Sequence, residues 1–255
     1  MIRLSVNVNK IALIRNSRGG ELPSVLDAAR TCIKAGCHGI TVHPRPDARH
    51  ITYRDVAELA AMLTVEFNIE GSPTSEFLDM VCGVRPAQAT LVPDPPGVLT
   101  SNAGWNLDDG ADWLRAVLAR LKEAGIRSSL FVAPDVKQVK RARQLGADRV
   151  ELFTGPYANA FHSPERNKLL AQHREAARAA RGVGLGVNAG HDLNLENIPA
   201  YARAVKGLAE VSIGHALVSD ALYIGLARAV KAYLKALGSQ PANVKPAPKP
   251  RASQR

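Results

Sequence analysis

Two histidines and two arginines fall within eight residues of one another: His43, Arg45, Arg49 and His50, in the stretch TVHPRPDARHI. Imidazoles exchange protons near neutral pH and guanidinium groups are permanent cations, so this is the composition of an anion site with acid–base capacity. Pro44 and Pro46 bar helix and restrict the residue before each, which predicts a stiff, extended loop. A basic loop can equally be a solvated one. The remaining reactive residues decide between the two readings.

Glu70 follows the apolar run EFNI and precedes GSPT, where a buried strand gives way to a loop. Partial desolvation there raises a carboxyl toward the range useful to a general base. Glu151, in RVELFTG, reads as a second inward carboxyl, open to structural pairing with a basic neighbour. The segments VNAGHDL and IGHAL each set a glycine and a histidine, His191 and His215, between an apolar run and a helical segment. Backbone amides in such turns, backed by a helix N-terminus, can hold a phosphate. No acid-rich metal constellation appears, and Lys10 is the one lysine that could suit Schiff-base chemistry.

The elements that must position these groups alternate regularly. Short apolar runs at 3–8, 39–42, 66–69, 89–92, 127–132, 149–153, 184–188 and 210–213 read as strands. Helix-period segments follow at 23–35, 52–64, 74–84, 109–124, 135–145, 164–181, 195–206 and 216–237. Thr52, Thr74 and Asp135 stand as N-caps, and Gly36, Gly125 and Gly146 near helix ends. Eight strand–helix repeats in this length predict an α/β fold, a (β/α)8 TIM barrel with extra helices. An open doubly wound sheet shows the same alternation, but no glycine-rich dinucleotide fingerprint follows the first strand.

A barrel does its chemistry at the carboxyl ends of its strands. That face collects Asn7, Asn9, Lys10, Arg15 and Arg18 after the first strand, then His43, Arg45 and His50, then Glu70. Thr100 lies in the long loop PDPPGVLTSNAGWN, and Glu151, Thr154, Asn188, His191, Gly214 and His215 complete the rim. Four of the seven histidines fall on this one face. Such clustering with two glutamates points to an active site.

Composition bounds the class. A chain of 255 residues, 46% hydrophobic, can bury a sizeable core. No apolar run approaches the roughly 18 residues of a membrane span, and MIRLSVNVNK lacks the features of a signal peptide, so a cytoplasmic protein is expected. Cys32, Cys37 and Cys82 form no C-x-x-C pair and read as free thiols. Of the formal charge of +10, residues 238–255 carry +4, leaving +6 on the body, 1–237. The Pro-rich tail is expected to be disordered, with the body as a single catalytic domain. The remaining bias suits anionic small molecules. A rival of a different class, a polyanion-binding protein using the tail, would show salt-sensitive nucleic-acid binding.

In this order and spacing, VNVNKIALIRNSRGG, GITVHPRPDARHIT, FNIEGSPT, LVPDPPGVLTSNAGW, VELFTGPYA, VNAGHDLN and SIGHALVSDAL resemble the pyridoxine 5′-phosphate synthase family. The resemblance covers residues 1–237. It implies condensation of 3-amino-2-oxopropyl phosphate with 1-deoxy-D-xylulose 5-phosphate, giving pyridoxine 5′-phosphate, phosphate and water. It further implies no organic cofactor or metal, no nucleic-acid or membrane partner, and a homo-octamer. By position His43 and Glu70 match the family's proton-accepting groups, His191 its proton donor, and Glu151 a carboxylate that stabilises charged intermediates. Arg45, His50 and Thr100 match contacts to the deoxyxylulose phosphate, with Asn9 and Lys10 beside it. Asn7, Arg18, Gly214 and His215 match contacts to the amino-ketone phosphate, with Asp192 beside that loop. The chain departs from many members at Asn9-Lys10, where they carry Asp-His, and at Asp192, where they carry Gly. The nearest enzymatic alternative is another phosphosugar barrel, such as an isomerase or aldolase.

Overall fold

Eight parallel strands pair in sequence order and close on themselves, the last beside the first. The strands are β1 (Arg3–Asn7), β2 (Gly39–Val42), β3 (Glu66–Gly71), β4 (Gln88–Leu91), β5 (Arg127–Val132), β6 (Arg149–Leu152), β7 (Gly186–Ala189) and β8 (Leu208–Ile213). This is a computed structural model, and it describes residues 1–94, 103–108 and 110–242. Around the barrel lie α1 (Asn9–Asn16), α2 (Val25–Lys34), α3 (Tyr53–Met62), α4 (Ser75–Val84), α5 (Trp113–Glu123) and α6 (Val136–Leu145). They are followed by α7 (Gly155–Asn159), α8 (Arg166–Gly182), α9 (Ile198–Ala204), α10 (His215–Ile224) and α11 (Leu226–Leu237). The expected (β/α)8 architecture is the observed one.

Helix boundaries follow local chemistry. The Thr52 side chain accepts from the Asp55 amide and Asp55 returns the bond, a reciprocal cap that starts α3. The Thr74 and Asp135 side chains accept from the Phe77 and Gln138 amides, one-way caps that start α4 and α6, and Gly146 ends α6 at φ 105°. Two stretches differ from the expected elements. Residues 9–16, read as loop, form α1, although no side chain caps it. The last expected helix, 216–237, is two helices broken at Gly225, whose φ of 83° no helix interior adopts.

Strand residues alternate between two surroundings. One set, including Leu4, Val6, Ile40, Val42, Ile69, Leu91, Leu130, Val150, Val187 and Ile213, is fully buried beneath the helices. Each such side chain contributes about 1.5–3 kcal/mol by leaving water. The other set points into the barrel and is largely polar. Ser5 bonds Thr41 at 2.7 Å, Thr90 donates to Asn68 at 3.0 Å, and Asn188 donates across the lumen to Gln88 at 3.3 Å. At the amino-terminal foot Arg3 and Arg127 both pair with Glu66. Branched apolar side chains ordinarily fill this space in such barrels.

Cys32 and Cys37 are buried free thiols, and burial pushes Cys32 up to about 12, so it is inert at neutral pH. Cys82 is free and half-buried. Past α11, Gly238 takes a left-handed conformation. Ser239 then bonds the Ile2 carbonyl and the Ala242 amide bonds Gly36 at 2.9 Å, so the start of the basic tail is tied to the foot of the barrel.

Candidate functional site

A cavity of about 470 Å³ opens at the carboxyl ends of the strands. β1 and the start of α1 bring Asn7, Asn9 and Lys10 to its wall; the loop after β2 brings His43, Arg45, Arg49 and His50. Glu70 comes from β3, Glu151 from β6, His191 and Asp192 from the loop after β7, and Gly214 and His215 from the start of α10. The four histidines expected on one face therefore line one space. Arg18 is exposed and does not line the cavity, and Thr100 lies outside the described residues. Arg15, expected on the rim, instead pins the loop after β2 from below, gripping Asp55 at 2.5 and 2.9 Å and the His50 carbonyl at 3.3 Å. Arg49 reaches the wall while paired with Asp47 at 2.6 Å.

Backbone hydrogen bonds register the wall. The Asn9 side-chain oxygen accepts from the His43 amide at 2.9 Å, tying α1 to the loop after β2. The Asn7 oxygen accepts from the Asn9 amide at 3.0 Å, while its nitrogen donates to Glu70 at 3.4 Å. The Ile51 amide donates to Nδ1 of His50 at 2.9 Å, leaving Nε2 to carry that ring's proton. A Cβ at position 190 would lie 2.0 Å from the Ser212 carbonyl, so only glycine lets the loop after β7 cross β8 there.

Charge at the floor of the cavity is arranged against ordinary ionisation. Burial, reinforced by Glu151, Asp94 and Glu210, holds the Glu70 carboxyl well above the usual carboxylate range. Glu70 is half-buried and lines the cavity. Burial pushes Glu151 up to about 7, partly opposed by His191. His43 is pushed down to about 3 by burial and by His50, Arg45 and His191, and is neutral at physiological pH. His50 falls to about 4 through burial and the charges of Arg45, Lys10 and Arg49. His191 moves the other way: burial pulls it down, but Asp192, bonded to Nδ1 at 2.8 Å, and Glu151 carry it above its ordinary value. The site thus sets a carboxyl held above its usual range and a histidine raised above its ordinary value beside the neutral His43, the equipment for stepwise proton transfer.

Two regions flank this floor, one basic and one formed by the start of a helix. Arg45, paired with Asp94 at 3.4 Å, stands with Arg49, Lys10 and His50 on one side. On the other, Gly214, which has no side chain to cap with, stands at the N-terminus of α10, where the first backbone amides of a helix lack intrahelical partners. The expectation of a helix N-terminus behind both phosphate loops holds only here, because after β7 helix resumes at Ile198. Thr90, Val92, Phe131, Ser212 and Leu13 also line the cavity and were not singled out from the sequence. Thr90, Phe131 and Ser212 sit at inward positions of strands, a signal that strand alternation carries once register is known.

Residues 4–239 match the family model described as pyridoxal phosphate biosynthesis protein PdxJ. The chain is 50% identical over 239 residues to the pyridoxine 5′-phosphate synthase of Parabacteroides distasonis, covering 94% of this chain and 100% of that protein. The corresponding protein of Bacteroides fragilis is 52% identical over 237 residues, covering 93% and 100%. Among solved structures, phosphoribosyl anthranilate isomerase from Thermococcus kodakaraensis superposes with a TM-score of 0.58 at 14% identity, covering 93% of this chain and 99% of that one. Thiamine phosphate pyrophosphorylase from Pyrococcus furiosus gives 0.57 at 12% identity, covering 93% and 95%. At such identities these two likenesses concern the fold alone.

Proposed function

The chain belongs to the PdxJ family of pyridoxal phosphate biosynthesis proteins, and from that membership we propose how its rim of acids and histidines works. Its activity is pyridoxine 5′-phosphate synthesis, a step of vitamin B6 biosynthesis. The substrates we assign are 3-amino-2-oxopropyl phosphate and 1-deoxy-D-xylulose 5-phosphate, joined into the pyridine ring with loss of phosphate and water. The observation that carries this reading is that Glu70, Glu151, His43 and His191 line one cavity whose wall also holds Lys10, Arg45 and Arg49 and, at the start of α10, Gly214 and His215. A reaction of two phosphorylated substrates, with several proton transfers and no outside oxidant, needs that layout.

The roles follow from the electrostatics. His43, neutral over the working range, accepts the proton released when the substrate amine attacks the ketone. His191, raised above its ordinary value by Asp192 and Glu151, donates in its protonated form to the hydroxyl that leaves as water. Glu70, its carboxyl held above the usual range, exchanges a proton as the intermediate's charge changes, serving on the proton-accepting side once ionised. Glu151, titrating near 7, balances the positive charge of iminium-like intermediates. Arg45, His50, Lys10 and Asn9 receive the deoxyxylulose phosphate, joined by Thr100. Asn7, Asp192 through its backbone, Gly214 and His215 receive the amino-ketone phosphate. Arg18 stands outside the cavity wall and would reach this phosphate only by moving.

Residues 1–237 act as one catalytic domain, with 238–255 as a basic appendage, in the cytoplasm. No helix among the described residues is long and apolar enough to cross a membrane. A homo-octamer fits the exposed apolar side chains Leu13, Ile14, Leu222 and Tyr223, which self-association would cover. The deciding experiment supplies both phosphates to purified protein and follows pyridoxine 5′-phosphate by absorbance and mass. Absence of product where a control synthase makes it overturns the proposed substrates.

A further inference from the structure

Asp192 adjoins His191 in the chain, and its carboxylate does not turn to solvent alone: Oδ2 lies 2.8 Å from Nδ1 of the His191 ring. The ring itself is walled by aromatics, with the Phe131 and Phe153 centroids each 6.4 Å from its own. Behind the pair, Gly155 leaves the space they occupy. A Cβ at that position would lie 2.6 Å from the Phe153 ring and 3.1 Å from Oδ2 of Asp192. Contacts from two further segments, β5 and the stretch after β6, thus pack against the imidazole and its carboxylate partner.

We propose that Asp192 is a positioning residue for the reaction, holding His191 through Nδ1 so that the proton it delivers to substrate always leaves from Nε2. The inference rests on the reading of His191 as proton donor. In the imidazolium both nitrogens carry protons. When Nε2–H passes its proton to the departing hydroxyl, a C–O bond breaks, water leaves, and a neutral imidazole remains with its Nδ1–H on the Asp192 carboxylate. A proton taken from the next intermediate returns to Nε2 and restores the starting state. Without the carboxylate, the neutral ring is free to take the other tautomer, whose Nε2–H is a poor acid and cannot accept the returning proton.

The charges around the ring agree. Asp192, Glu151 from β6 and Asp94 from the loop after β4 face it as anions or potential anions, and His43 faces it from the loop after β2. Burial opposes protonation, and Asp192 is the largest favourable influence. This is the arrangement in which a carboxylate sets both the tautomer and the charge of a catalytic histidine.

The test is a side-chain 15N titration of His191 in the full-length protein, run beside pH profiles of kcat and KM. Unmodified protein is expected to show Nδ1 protonated throughout, with a midpoint above the ordinary 6.5. Asp192→Asn should lower the midpoint by about one pH unit, the scale of a lost opposite charge at this range. The alkaline limb of kcat should fall with it, about tenfold in rate above the new midpoint, while KM changes less than about twofold. Asp192→Glu should recover part of both. An unmoved midpoint in folded Asp192→Asn, or a loss confined to KM, overturns the inference. Full activity in His191→Asn would instead overturn the proton-donor reading, while the titration would still report whether the pair exists.

Discussion

β3 carries two inward glutamates on one strand, Glu66 at the foot of the barrel and Glu70 at the mouth. Burial pushes both carboxyls up. At the foot, Arg127 and Arg3 overcome it and hold Glu66 below the usual range. At the mouth, no ion pair among the described residues holds Glu70 down. Glu70 has an amide, Asn7, for a partner and Glu151, Asp94 and Glu210 for neighbours, and it is held well above the usual range. The same residue type, in the same sheet and four positions apart, is fixed as a structural ion in one place and left with a mobile proton in the other. Partners, more than burial, distinguish the structural end of this barrel from the reactive one.

The largest expected effect breaks the mouth alone. Glu70→Gln keeps shape and removes the exchangeable proton, so kcat should fall about 10²–10⁴-fold with the melting temperature unchanged or raised. Steady-state kinetics beside calorimetry reads both. A variant that melts normally and turns over normally ends the assignment of Glu70. His191→Asn should behave similarly, with the loss concentrated in kcat.

At the foot the signs reverse. Glu66→Gln strands Arg3 and Arg127 facing each other, and the pairs are only about 30% exposed. A cost of about 1–2 kcal/mol is expected, below the value for a fully buried pair because solvent reaches this one. Chemical denaturation measures it, and activity per folded molecule should stay within about twofold. A variant of unchanged stability but lost activity would mean that the foot takes part in the chemistry.

A smaller effect separates the two anion regions. Arg45→Lys keeps the charge but loses the planar fork, so the KM for the deoxyxylulose phosphate should rise about tenfold and that for the amino-ketone phosphate much less. Equal rises would argue against two separate regions.

Much of this layout was legible beforehand because strand count, helix caps and strand-end histidines are local features of the chain. Thr52, Thr74 and Asp135 cap as expected, and His43, His50, His191 and His215 meet. Other features are not local. The polar lumen was hidden because its residues, such as Ser5, Thr90 and Ser212, alternate with apolar ones that pack under helices, so each strand reads as an apolar run. α1 carries no side-chain cap, and Gly225 reads as an ordinary helix residue until its positive φ is seen. Asp94 gains its importance only from Arg45, distant in sequence, and Asp192 only from the rotamer of His191.

The finest distinction between foot and mouth lies in how stability depends on pH. Glu66 has a folded pKa below its unfolded value of about 4.3, so the stability it adds is present above that pH and is lost as pH falls through the folded value. Glu70 has a folded pKa above about 4.3, so its contribution is complete below that pH and is lost as pH rises toward and through the folded value. Unfolding free energies of Glu66→Gln and of the parent should therefore converge as pH falls below about 4. Those of Glu70→Gln and the parent should diverge as pH rises above about 5, with the variant the more stable, by up to about 1.4 kcal/mol per pH unit until the folded pKa is passed. Parallel curves for Glu70→Gln would mean that the carboxyl at the mouth ionises as freely as one in water. The contrast between the two ends of β3 would then be one of position only.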